Sequence, residues 1–114
     1  MPFINSKVNV KISKDQETQI KSKLGQAITA IPGKSESWLM VGFEDEYKLY
    51  FRGDNTQPTA FVEVSVYGSE NPSAFTALTG KICGIYQEVL GISPDHVYVK
   101  YDAVKNWGWN GSNF

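Results

Sequence analysis

Twice along this chain the hydrophobic period switches from two to about 3.6 and back, and that alternation leaves few folds open. Ile4, Val8, Val10 and Ile12, with Ser6 completing the row, recur at every second position and predict a half-buried strand. Ser13 stands three before Gln16, a capping-box pattern, with Asp15 and Glu17 favourable in a first turn. Ile20, Leu24, Ala27, Ile28 and Ile31 follow at helical spacing until Pro32-Gly33 stops them, which predicts a helix over residues 14–31. The unbroken apolar run Trp38-Leu39-Met40-Val41-Gly42-Phe43 suits a strand covered on both faces. Lys48-Leu49-Tyr50-Phe51 reads as a shorter strand and hairpin partner, and Arg52-Gly53-Asp54-Asn55 as a loop.

The second half repeats the order. Val62, Val64 and Val66 alternate with Phe61, Glu63, Ser65 and Tyr67 until Gly68. Asn71-Pro72 reads as a helix cap followed by proline in the first turn. Phe75, Leu78, Ile82, Ile85 and Val89 form one apolar stripe, closed by Gly91. After Ser93-Pro94-Asp95, Val97, Val99 and Tyr101 alternate with Tyr98 and Lys100. Strand–helix–strand twice in 114 residues predicts one α+β domain spanning residues 1–114: a two-layer α/β arrangement with one mixed four-stranded sheet and both helices on one face. The other face, with Phe61, Tyr67 and Tyr98 beside Glu63, Ser65 and Lys100, is too apolar for open water and too charged for a core. Self-association would bury it.

The charge balance, 11 Lys+Arg against 12 Asp+Glu, gives no field that would gather nucleic acid or an anionic membrane. No apolar run approaches the roughly 20 residues of a membrane helix, and no secretory leader pattern opens the chain, so the expected location is the cytoplasm, with non-classical secretion left open. A single cysteine, Cys83, and a single histidine, His96, exclude an internal disulfide, a Cys/His zinc cluster and a paired-thiol redox motif. Cys83 reads as a small buried hydrophobe and His96 as a surface residue.

Three features carry chemistry. Pro2 either starts an edge strand or, once Met1 is removed, presents a secondary amine as the chain terminus. Apolar burial or a neighbouring cation lowers the pKa of such an amine and makes it a general base. Lys34 follows Pro32-Gly33, just past a helix end, where a cation also suits the negative helix pole. The tail Asn106-Trp107-Gly108-Trp109-Asn110-Gly111-Ser112-Asn113-Phe114 holds three large aromatics in nine residues, which could line an apolar pocket or cap an interface.

Proline after the initiator methionine, Pro32-Gly33-Lys34 after the first helix, Ile92-Ser93-Pro94-Asp95-His96-Val97-Tyr98 and the closing aromatic tail, in that order and spacing, resemble the macrophage migration inhibitory factor (MIF) family of the tautomerase superfamily. The resemblance runs end to end. It implies a homotrimer with active sites between subunits and cofactor-independent, metal-free keto–enol tautomerisation of phenylpyruvate-type 2-oxo acids, with D-dopachrome as an unnatural test substrate. It implies Pro2 as catalytic base, Lys34 as holder of the substrate carboxylate and a backbone hydrogen bond at Tyr67. Tyr98 would come from the neighbouring subunit, and Trp107, Trp109 and Phe114 would form the aromatic wall. Lys100 stands where mammalian members have asparagine, and would either add a second cation to the site or point away. Trp107 and Tyr67 replace smaller aliphatics, which narrows the expected pocket. Thr59 and Val62 replace the family's Cys-x-x-Cys pair, which removes thiol–disulfide chemistry. If Met1 is retained, it is expected across the site mouth between Lys34, Trp107 and Tyr98.

The alternative within the same resemblance is a cytokine-like, host-interaction protein whose pocket binds without turnover. A ferredoxin-like ligand-binding module would leave Pro2 and the tail as coincidences. The mixed sheet face makes the first expectation testable. Sedimentation at micromolar concentration should give about three times the 12.7 kDa chain mass, and a clean monomer would rule out a shared site.

Overall fold

The computed structural model describes all of residues 1–114. Strands β1 (Pro2–Val8), β2 (Met40–Glu44), β3 (Ala60–Tyr67) and β4 (Val97–Val104) form one sheet in the order β2-β1-β3-β4. β1 pairs parallel with β2 and antiparallel with β3, and β3 pairs parallel with β4. Each parallel pair is bridged by a helix, α1 (Lys14–Ala27) or α2 (Pro72–Leu90). The central antiparallel pair joins the two β-α-β halves. A two-stranded hairpin, β5 (Gly108–Trp109) with β6 (Ser112–Asn113), ends the chain. No helix is long and apolar enough to cross a membrane.

The helix boundaries follow local chemistry. Ser13 accepts from the Gln16 backbone N–H at 3.1 Å, while the Gln16 side chain accepts from the Ser13 N–H at 2.9 Å, which completes the capping box. α1 is shorter than its periodicity suggested. It ends at Ala27 and tightens into a 3-10 turn over Ile28–Ala30, because Pro32 cannot continue the ladder. Asn71 caps α2 with proline at its first turn, and Gly91, at φ +68°, ends it.

Three expectations for strands need correction. β1 stops at Val8; Val10 and Ile12 still pack on the core, but in irregular chain held by Glu46 N–H to the Val10 carbonyl and Ile12 N–H to the Asp45 carboxylate. β2 begins at Met40 and is an edge strand, with Met40 fully on the surface and Val41 and Phe43 half-buried, so it is not covered on both faces. Residues 48–51 form no strand. Their only ladder contact is a single bridge, Phe51 to Asp54.

The core lies between the sheet and the two helices. Ile4, Val8, Val62, Val64 and Val66 point into it from the central strands, against Ile20, Leu24, Leu78, Ile82 and Tyr86. Ser6, in the same row, is fully buried, and its hydroxyl is hydrogen-bonded to the buried Tyr86 hydroxyl. Burial pushes the Tyr86 phenol up to about 12, an effect that the Ser6 hydrogen bond partly opposes. A folded pKa above the ordinary 10.0 means that ionisation favours the unfolded chain. The stability this group contributes is whole below pH ~10 and is lost as pH rises toward about 12. Denaturation followed across that window should therefore show a loss that Tyr86→Phe flattens. At neutral pH, Tyr86→Phe or Ser6→Ala alone should cost about 1–3 kcal/mol by orphaning a buried hydroxyl, and the double variant less than the sum.

Candidate active site

Four segments converge at one end of the sheet. Pro2 opens β1 opposite Val66 and is buried, so its missing N–H removes no donor from mid-strand. Met1 runs beyond the strand, half-buried, and its carbonyl accepts the Tyr67 N–H at 3.1 Å. Lys34 arrives from α1 through the turn Ile31-Pro32-Gly33-Lys34, closed by Lys34 N–H to the Ile31 carbonyl at 3.1 Å. Proline at the second position and a φ of +82° at Gly33 are the pattern of a type II turn, which needs glycine there. Beyond it, Glu36 packs against α1 at Gly25, where any Cβ would collide with its carboxylate. The 34–38 segment is thus held close to the helix, and Trp38 is set over the sheet end.

The Lys34 ammonium donates to the Tyr67 carbonyl at 2.8 Å. It makes no ion pair, and it lies beside the Met1 amine. Partial burial first, and the Lys34 charge second, hold that amine below its ordinary 8.0.

The aromatic wall is built by the tail. Asn110 and Gly111, both with left-handed backbone, make a two-residue hairpin turn, and Phe114 N–H bonds back to the Trp107 carbonyl at 3.0 Å. Trp109 and Phe114 stack with ring centres 6.3 Å apart, and Phe114 tilts onto Tyr67 at 5.5 Å. Trp38 meets Trp109 edge to face at 5.1 Å. Two hollows share Met1 and Trp38. One of about 500 Å³ is lined by Pro2, Leu39, Met40, Trp107 and Trp109, and one of about 280 Å³ by Gly33, Tyr67 and Phe114. Other hollows, of about 380 and 350 Å³ along the helices, are lined mostly by charged and polar surface groups and small residues, with few aromatics, and bring together no comparable set.

Of the residues expected at the site, Pro2, Lys34, Tyr67, Trp107, Trp109 and Phe114 meet here within one chain. Met1 has its amine beside Lys34 and lines one hollow with Trp107, but Tyr98, the third residue expected around it, is not there. Tyr98 and Lys100 do not join them. Tyr98 pairs with Phe61, five positions along β3 from Val66, which is roughly 17 Å at strand spacing. Lys100 lies on the open sheet face in a chain of charges, with Glu63 at 3.8 Å and Asp102 at 3.6 Å, and Glu63 also pairs with Lys7 at 3.2 Å. Trp38 is the residue the sequence reading missed, because it was absorbed into the β2 run. The available signal was its place four after Lys34, ahead of any strand. His96 is half-buried rather than on the open surface, with Asp95 accepting at its Nδ1 at 3.0 Å. Cys83 is partly buried on the core side of α2, and burial raises its thiol pKa. In a sample that keeps Met1, NMR titration should find the α-amine below pH 8.0, with Lys34→Ala restoring part of the shift.

The comparisons agree with this geometry. The profile of the macrophage migration inhibitory factor (MIF) family matches residues 1–114. The macrophage migration inhibitory factor of Mus musculus is 30% identical over 95 residues, covering 82% of each chain. That of Meriones unguiculatus is 28% identical over 116 residues, covering 100% of this chain and 99% of its own. Among solved structures, MIF2 of Leishmania major superposes with a TM-score of 0.92 at 32% identity, over 100% of this chain and 97% of that one. The homologue from Prochlorococcus marinus gives 0.81 at 32% identity over 98% of each. With the fold, the profile and the full-length relatives in agreement, this chain belongs to the macrophage migration inhibitory factor family.

Proposed function

We propose that this protein is a cofactor-independent keto–enol tautomerase of phenylpyruvate-type 2-oxo acids, working as a homotrimer after loss of Met1. The observation that carries the proposal is the Lys34 ammonium, fixed on the Tyr67 carbonyl at 2.8 Å beside the chain terminus and close to the buried Pro2, where burial and that charge hold the Met1 amine below its ordinary pKa. With Met1 attached, the Pro2 nitrogen is an amide and has no basicity near neutral pH. Without it, the nitrogen is a secondary amine one residue deeper in the same surroundings.

Loss of Met1 would change three things together. It would free the Pro2 lone pair, clear the space that Met1 takes beside both hollows, and release the Tyr67 N–H from the Met1 carbonyl. The released N–H and the Lys34 ammonium would then form a donor pair suited to a carboxylate, with Lys34 steadied by the Tyr67 carbonyl. The aryl end of the substrate would lie among Trp38, Trp107 and Trp109. Pro2 would take a proton from the carbon next to the ketone as the C–H pair becomes the enol C=C. The carbonyl oxygen, taking the π electrons, would receive the proton back, so the reaction is an isomerisation. Tyr98 would enter from the neighbouring copy, and Lys100 with it where its ties to Glu63 and Asp102 allow. A chain that kept Met1 would retain a pocket but not the Pro2 base, the state that the binding-only reading describes.

Intact mass and phenylpyruvate turnover on the same sample test this directly. Protein lacking Met1 should be active, with an acid limb in kcat/KM below the ~7.7–8.0 of a free α-amine, because a lowered pKa keeps the base unprotonated to lower pH. Protein that keeps Met1, and Pro2→Gly, should lose at least about 10²-fold. Equal rates with and without Met1 would rule out Pro2 as the base.

A further inference from the structure

At the far end of the sheet a second group of rings surrounds Phe51. The Phe51 ring meets Tyr98 at 5.3 Å and 82°, and His96 at 5.4 Å and 71°. The Arg52 guanidinium lies over it at 4.8 Å. Phe51 and Asp54 exchange both backbone hydrogen bonds, at 2.9 and 3.0 Å, across Arg52 and Gly53, which are both left-handed. This is the geometry of a two-residue turn. The Asp54 carboxylate accepts from the Thr56 N–H and hydroxyl, and the Asn9 side chain ties Gln57 and Thr59 to the end of β1. A segment with no strand of its own is therefore fixed at both ends, with one aromatic ring turned to the sheet. Tyr98 itself is 59% exposed, and on the sheet side its phenol ring leans on Phe51.

We propose that Phe51 is the positioning residue for Tyr98, holding its ring in the orientation in which it reaches the substrate pocket of the neighbouring copy. This rests on the placement of Tyr98 proposed above. An exposed tyrosine free to rotate would lose rotamer freedom on binding. Edge-to-face contact with a ring that Arg52 and His96 also hold removes that cost beforehand. The 46–58 connection, which supplies no group to its own chain's pocket, thereby shapes the next one.

The variants Phe51→Leu, Phe51→Tyr and Tyr98→Ala, each freed of Met1 and confirmed as trimers by sedimentation, test the proposal. The readouts are KM and kcat for phenylpyruvate, and the Kd for 3-phenylpropanoate, an aryl acid with no ketone to enolise. Phe51→Leu should raise KM and Kd about two- to tenfold, the range of an aromatic pair, with kcat changed less than about twofold. Phe51→Tyr should restore both, and Phe51→Leu should add nothing in the Tyr98→Ala background. Unchanged KM and Kd in trimeric Phe51→Leu, or an effect fully additive with Tyr98→Ala, would overturn it. Wild-type protein that binds 3-phenylpropanoate without turning over phenylpyruvate would end the tautomerase reading, while the Kd series still decides the role of Phe51. No change in Kd on Tyr98→Ala would remove the placement of Tyr98, and the positioning role with it.

Discussion

The antiparallel pairing of β1 with β3 is the contact on which the rest of the molecule depends. It is the only pairing between the two β-α-β halves in the sheet. Its register, Pro2 opposite Val66 and Ser6 opposite Val62, sets Ile4, Ser6 and Val8 against the helices together with Val62, Val64 and Val66. A slip of one residue would turn that entire row to the open face and bring Phe3, Asn5 and Lys7 into the core. The same register puts Met1 beside Tyr67, so the chemistry at the sheet end and the packing at its centre are fixed by one choice. Ser6 and Tyr86 add a directional element, since two buried hydroxyls that satisfy each other are satisfied in one alignment only.

The open face of the sheet carries a different economy. Lys7, Glu63, Lys100 and Asp102 form a line of alternating charge across β1, β3 and β4. Each of these pairs is partly solvated and contributes little stability by itself. What the line does is commit Lys100. A cation already shared by two carboxylates is a poorer carboxylate receptor than Lys34, whose recorded acceptor is one neutral carbonyl. The two lysines therefore differ in kind.

Much of this was legible in the sequence, and the reasons differ by element. The period-two rows of β1, β3 and β4 and the stripes of α1 and α2 are direct records of burial on one face, so their residues could be placed at once. Caps at Ser13 and Asn71 and the turn at Pro32-Gly33 have side-chain or φ requirements that few residues meet. The errors fall where tertiary contact decides. Val10 and Ile12 continue the alternation, yet the chain leaves the sheet at Val8 because Asp45 and Glu46 capture its backbone. The run from Trp38 reads as buried strand but divides into a 3-10 turn and an edge strand, since its apolar side chains face a pocket as well as a core. Lys48 to Phe51 has strand composition, yet the chain there makes its ladder contact in the local Phe51–Asp54 turn rather than with the free edge of β2. No sequence pattern marks Phe51 as a neighbour of Tyr98, 46 intervening positions away.

The central place of β1 bears on timing. Its second neighbour, β3, lies in the other half of the chain, so a nascent polypeptide cannot complete this pairing until Val66 has been made. At about 5–20 residues per second, that interval is on the order of seconds. During it the amino terminus is loose and open to a peptidase. Afterwards the Met1 carbonyl is bonded to Tyr67, and Met1 lines the hollows beside Trp38. Where a peptidase removes Met1, trimming and folding would compete for the same few residues. A molecule that closed first would keep its methionine, half-buried at the sheet end, and a single gene product would divide, by kinetics alone, into two populations with identical folds and different termini.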